Sequence, residues 1–255
     1  LLAAPLNERS AVRELAMQLA LFERSIFCAI PSIELQRLAF AKADKALGAP
    51  HVMSMCAHFN CMSRWVCEQI VREEQLKDRV RVLRLMIELA RASRELLNYN
   101  GVMEIVAALH SASIGRLRYT WERLPASSQR EFEELEALLK ADRSHAALRA
   151  AMREAANTPA VPYLGLYLSD LTYIEDGNAD YSHQVGDGEE RLVNLTKCQM
   201  IGKAIGEVLR FQRVGYDAKP SEPAFEWLRS LSPPLDEEVY ELSLQLAPRG
   251  GGGQG

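Results

Sequence analysis

The sequence predicts an all-α, single-domain protein of roughly ten or more helices, with one helical hairpin protruding from the body. Three observations carry this. Apolar residues recur at three- and four-residue steps along most of the chain, the spacing that gathers them on one helix face. Convincing alternating strands are absent, and so is any repeat of roughly 20–50 residues. Finally, Pro159 to Asn178 passes without a break from an apolar, aromatic run into an acidic, glycine-containing tip.

Taken in order, the elements have local reasons. Asn98 and Asn100 are good N-cap residues ahead of an apolar helix. Val80, Leu83, Ile87 and Ala90 line one face of the helix before them. Ser128 with Glu131 forms a capping-box pattern leading into Phe132, Leu135 and Leu138. Ser144 can cap an alanine-rich helix running to Ala156, which Asn157-Thr158-Pro159 then stops, because proline cannot donate the next helical hydrogen bond. Tyr163 to Leu171 has aromatic content that would also suit a short buried strand, but its length favours helix. Asn194 to Arg213 is a second amphipathic helix, with Ile201, Ala204, Ile205, Val208 and Phe211 on one face. Glu222-Pro223 and Pro233-Pro234 break the C-terminal region into short pieces. The domain is expected over residues 1–249, and 250–255 is a flexible glycine-rich tail.

The hairpin follows from desolvation. A buried helix can carry Tyr163, Leu164, Leu166, Tyr167, Leu168 and Leu171. It cannot bury Asp170, Glu175, Asp176 and Asn178 unpaired, since desolvating such groups is strongly unfavourable. One end must be rooted in a core while the other protrudes, a shape suited to prying at a partner.

Bulk properties narrow the function. Apolar content of 48% and charged content of 25% describe a chain able to bury a sizeable core. Net charge is −4 and no long Lys/Arg run occurs, which argues against nucleic acid. No apolar run reaches the roughly 18 residues that span a bilayer, and Leu1 to Leu6 is too short for a secretory signal. Direct membrane insertion is therefore not expected, and a cytoplasmic protein would reach a membrane face through other regions or partners. Five sparse cysteines suit reduced thiols rather than a disulfide framework. Cys56, His58, Cys61 and Cys67 are close together, but they lack the tight ligand pairs of structural zinc, so no metal is expected.

Motifs for catalysis are thin. Asp176-Gly-Asn178-Ala-Asp180-Tyr181 begins like an EF-hand loop, yet Tyr181 holds the position that requires glycine and Asp187 the one that requires a bidentate Glu. His110-Ser111 lacks the special turn on which serine nucleophiles sit. Neither G-x-x-x-x-G-K-[ST] nor G-x-G-x-x-G is present, so the chain is not expected to hold a nucleotide or any other cofactor. Trp65, Trp121 and Trp227 lie in apolar helical patterns and are expected as core anchors. Arg116, next to the exposed-looking Ser111 to Gly115, suits either a surface salt bridge or partner contact.

"PAVPYLGLYLSDLTYIEDGN" followed by "LVNLTKCQMI" resembles the third signature region of the Ras guanine-nucleotide exchange factor (RasGEF) catalytic domain. "NYNGVMEIVAALHSASIGRLRYTWERLP", from Asn98 to Pro125, is similar to the second. "HFNCMSRWV", "LKDRVRVLRLMIELA" and "VYELSLQLAPR" resemble further family segments in the right order, so the likeness runs from about residue 12 to 249.

The resemblance implies a guanine-nucleotide exchange factor that binds a small GTPase of the Ras subfamily, Ras or Rap type favoured, and promotes GDP release without covalent chemistry. It implies that Thr172 and Asp176 enter the phosphate and magnesium region, with Asn178 capping the tip. It further implies GTPase binding by Tyr163 and Tyr167 on the hairpin and by His110, Ser111 and Arg116 elsewhere. Three departures bear on strength and partner choice: the family more often has Glu at Asp176, often Asn at His110, and a larger residue at Gly115. The family also commonly uses an N-terminal helical module to brace the hairpin, so this chain is expected to be weakly active or self-braced. A catalytically weak or inactive GTPase-binding scaffold of the same fold is the alternative.

Overall fold

The computed structural model describes residues 9–181 and 192–248. The EF-hand-like position Asp187, the tail from Gly250 and the segment Leu1 to Leu6 lie outside them. Helix α1 (Arg9–Cys28) buries Val12, Leu15, Leu19 and Phe22, an uninterrupted apolar stripe. A 3-10 segment (Ser32–Ala41) follows, broken where Arg37 and Leu38 take left-handed φ of 50° and 52°. After the single turn of α2 (Lys45–Gly48), α3 (Pro50–Val71) starts on Pro50, whose missing N–H has no helical partner in a first turn. It buries Met55, Met62, Trp65 and Ile70. Helix α4 (Leu76–Glu95) turns Leu83, Ile87 and Ala90 inward, as their spacing predicts.

Helix α5 (Tyr99–Leu109) is buried along nearly its whole length and packs against α3 and α4, while α1 covers α4. Its Val102, Ile105 and Leu109 are each at most 1% exposed, and such side chains contribute about 1.5–3 kcal/mol apiece. Asn98 caps it as expected: Oδ1 accepts the Gly101 N–H at 3.1 Å. A Cβ on Gly101 would stand 2.7 Å from Asn98 Nδ2, so the cap requires glycine there. Asn100 does something else, donating its amide to Glu104 at 2.7 Å.

Short helices α6 (Ala112–Gly115) and α7 (Arg118–Glu122) lead to α8 (Ala126–Leu139) and α9 (Ala146–Ala155). Two capping expectations are corrected here. Pro125 starts α8 with its φ preset at −57°, so Ser128 lies inside the helix and is buried. Ser144 sits in a left-handed run with Arg143 and His145, and α9 begins after His145 without a side-chain cap. The hairpin helices are α10 (Leu164–Gly177) and α11 (Leu195–Arg210); the stretch 163–171 is therefore not a strand. Pro223 stands in the first turn of α12 (Glu222–Ser230) and starts rather than breaks it, and Pro233-Pro234 separates α12 from α13 (Asp236–Leu246). Among the described residues there is no strand beyond two isolated bridges. Trp65 is buried in the core, while Trp121 and Trp227 are half-buried against it.

A charged cluster lies in the core. Glu23 of α1, His58 of α3 and Glu104 of α5 are all buried, with His58 Nε2 and Glu23 Oε1 3.6 Å apart. Burial, and then the facing Glu23 carboxylate, push the Glu104 carboxyl well above the usual carboxylate range. This favours the neutral form of Glu104, the one able to donate to Glu23, whose two carboxylate oxygens have no other hydrogen-bond partner among the described residues.

Candidate functional site at the hairpin tip

The hairpin is anchored at its root from several directions. The strand-like bridge before α10 pairs Tyr99 N–H with Val161 O at 2.8 Å and Val161 N–H with Leu97 O at 3.1 Å. Arg24 of α1 donates to Phe211 O at 2.7 Å and to Gln212 O at 3.1 Å, at the end of α11. Arg149 of α9 grips Asp170 with two parallel bonds of 2.7 and 2.8 Å, which resolves how a carboxylate is tolerated on the rooted half. The 3-10 segment packs along both hairpin helices.

Exposure then rises along α10 as its sequence gradient predicts. Leu164, Leu166, Tyr167 and Leu171 are buried, whereas Tyr173 is 76% exposed and Asp176 and Gly177 are exposed. Thr172 and Asp176 share a face, four residues apart. Thr172 Oγ1 donates to Leu168 O at 2.9 Å, and Asn178 Nδ2 donates to Ile174 O at 2.9 Å, closing the helix end. Asp176 has no partner among the described residues. At the start of α11, Asn194 Oδ1 accepts the Lys197 N–H at 3.1 Å and its Nδ2 donates to Ala179 O at 2.9 Å, drawing the two helices together.

Other assigned residues fall in different settings. Tyr163 is half-buried, 5.8 Å from the Phe59 ring, with its own ring folded over Gly165, where a Cβ would meet it at 2.5 Å. Tyr167 is 5% exposed and packs on Phe211, and burial followed by Glu207 pushes its phenol up to about 12. His110 and Ser111 sit at the C-terminal end of α5, about 16 Å along that helix from the hairpin root. His110 is exposed, meets Glu136 at 2.5 Å, and lines a cleft of about 430 Å³ with Gly115, Trp121 and Phe132. Ser111 is half-buried, 3.4 Å from Cys67 Sγ. Arg116 makes no salt bridge among the described residues; it donates to Ser243 O at 2.7 Å and lies over the Tyr240 ring, because α13 folds across it. The Ser111–Gly115 stretch is only partly exposed, since Ser113 and Ile114 are buried.

Sequence reasoning missed Lys197. It lies four residues before Ile201 on the apolar face of α11, and a cation on that face signals a buried charge with acidic partners. Among the described residues, the group with ligand atoms within 4.8 Å of one another is Glu23, His58 and Glu104, which includes no cysteine and lies in the core.

The RasGEF domain family matches this chain over residues 14–199, which takes in the core helices, all of α10 and the start of α11. The chain belongs to that family. This RasGEF domain is 36% identical over 237 residues, 92% of its length, to Ras guanine nucleotide exchange factor P of Dictyostelium discoideum. It is 33% identical over 246 residues, 96% of its length, to Ras-specific guanine nucleotide-releasing factor 1 of Rattus norvegicus. Against Ras-specific guanine nucleotide-releasing factor 2 of Mus musculus it is 34% identical over 243 residues, 95% of its length. The chain spans 15%, 19% and 20% of the lengths of those three relatives. No single helix among the described residues is long and apolar enough to cross a membrane.

Proposed function

We propose that this RasGEF domain binds a small GTPase of the Ras subfamily, Ras or Rap type, and promotes GDP release by inserting the tip of the α10–α11 hairpin. The observation that carries the reading is the exposed Asp176 at the free end of a hairpin whose root is tied to α1, α5 and α9. In that reading Thr172 occludes the metal position, and the Asp176 carboxylate competes for the groups that hold phosphate and Mg²⁺. His110 and Ser111 extend the contact along the body, and Tyr163 supports it at the root. Tyr167 and Arg116 serve indirectly, by fixing α10 and α13.

Exchange of this kind breaks no covalent bond. The domain binds the open, nucleotide-poor GTPase better than the GDP-bound one and so shifts its population. Moving such an equilibrium from 1:99 to 99:1 takes about 5.5 kcal/mol of differential binding. A contact running from the tip across the body can supply that. Action at the inner membrane face, through other regions or partners, follows from where such GTPases work.

Release of a fluorescent GDP analogue, measured across Ras-, Rap- and Ral-type GTPases, tests the reading. The expected result is accelerated release from at least one of them, with tighter binding to its nucleotide-free form. Equal affinity for both forms would instead indicate the scaffold.

A further inference from the structure

The tip carries three carboxylates within six residues, Glu175, Asp176 and Asp180, and a glycine, Gly177, as the last residue of α10. Left to itself such a segment repels and flexes, because glycine leaves the backbone unrestrained and like charges favour spreading. Lys197 opposes both tendencies. Its side chain is only 7% exposed, and Nζ meets Glu175 Oε2 at 2.5 Å and Asp180 Oδ1 at 2.6 Å. Nζ also donates to Glu175 O at 3.4 Å. These contacts flank the tip on either side: Glu175 immediately precedes Asp176, and Asp180 follows Asn178 by two residues.

We propose that Lys197 is the positioning residue of the exchange tip, clamping both flanks of Asp176–Asn178 so that Asp176 alone is left uncommitted. The inference rests on the exchange reading above. Two of the three carboxylates are paired with Lys197 within the hairpin, and the third, the exposed Asp176, has no partner among the described residues. The direction of the local titrations agrees, since hydrogen bonding to Lys197 holds the Asp180 carboxyl below its usual range and the same bonds raise the ammonium. A lysine is a poor choice if only packing mattered there, because a buried ion pair seldom outperforms an apolar residue of like size. What it supplies is a defined geometry. The backbone closes the same region: Asn194 N–H donates to Asp180 O at 2.9 Å, beside the Tyr181–Val193 bridge. Arg37 and Leu38 of the 3-10 segment line the adjoining cleft of about 610 Å³ together with Glu175, Asp180 and Lys197.

The test is a double-mutant cycle with an independent structural readout. Lys197→Met keeps the apolar stem and removes the charge. It is expected to slow GDP release about tenfold or more at saturating GTPase, because small misplacements of an active group are that damaging, while KM changes less than about twofold. Combined with Asp176→Ala it is expected to add less than about twofold, since both changes remove the same placed carboxylate. Amide hydrogen exchange at residues 175–180 is expected to speed up, and Lys197→Arg to recover part of the rate. Should Lys197→Met not fold, Asp180→Asn carries the test: that side chain is 73% exposed and its loss, expected to slow release in the same direction, leaves the core intact. Wild-type release by the folded Lys197→Met variant, or losses that multiply in full with Asp176→Ala, would overturn the proposal. A wild-type domain inert on every GTPase overturns it together with the exchange reading. That failure is told apart from failure of the clamp because amide exchange needs no GTPase.

Discussion

Replacing Asp176 by Ala separates the tip's function from the fold. Asp176 is exposed at the end of α10 and has no partner among the described residues, so its removal is expected to change stability by less than about 0.5 kcal/mol. For a domain of this size that shifts the unfolding midpoint by no more than about 2 °C. Release should respond far more. A hydrogen bond to a charged group contributes about 1.5–3 kcal/mol, and every 1.4 kcal/mol is a factor of ten, so GDP release is expected to slow by roughly 10- to 150-fold. The assay is fluorescent-GDP release at saturating GTPase, run beside thermal unfolding of the same preparation. Asp176→Glu lengthens the side chain by one methylene towards the family's more frequent residue and should match or exceed the wild type. If the carboxylate competes with the metal, raised Mg²⁺ opposes release, and less so in Asp176→Ala. Wild-type release by Asp176→Ala refutes the reasoning, and so does a loss of activity that tracks unfolding.

Other outcomes follow from buried groups. Tyr163→Ala removes a half-buried ring that packs on Phe59, and is expected to lower stability by about 2 kcal/mol in urea titration and to weaken GTPase binding as well. Burial and then the Glu23 carboxylate favour protonated Glu104 in the fold, while the unfolded chain releases that proton near about pH 4.3. Above that pH the folded state binds more protons, so this contribution to stability is lost as pH rises towards the raised value, and Glu104→Gln should make the decline in unfolding midpoint above about pH 4.3 shallower. An unchanged slope would contradict the protonated assignment. Burial pushes the Cys67 thiol up to about 11, so a disulfide reagent near neutral pH should label exposed Cys28 and Cys198 and reach Cys67 only on unfolding.

Much of the architecture was determined by local sequence. Helices α4, α10 and α11 follow from apolar spacing, Asn98 caps where its side chain can reach a nearby N–H, and the gradient from Leu164 to Asp176 shows which end of the hairpin is rooted. These properties involve residues three or four apart, so periodicity and desolvation alone decide them. The capping errors at Ser128 and Ser144 have the same scale, because Pro125 and a left-handed turn outweighed the hydroxyls as helix starts.

Only the tertiary structure decided what each functional side chain faces. Tyr167 turns inward because Phe211 arrives from α11, and Arg116 is taken by Ser243 from 127 residues away. Arg24 reaches Phe211 across 187 residues to hold the hairpin root. The Lys197 clamp depends on α10 and α11 running antiparallel with their ends in register, which brings Glu175 and Asp180 to one ammonium. A charge in a sequence carries no record of its distant partner, and burial sets its energy only once that partner is beside it.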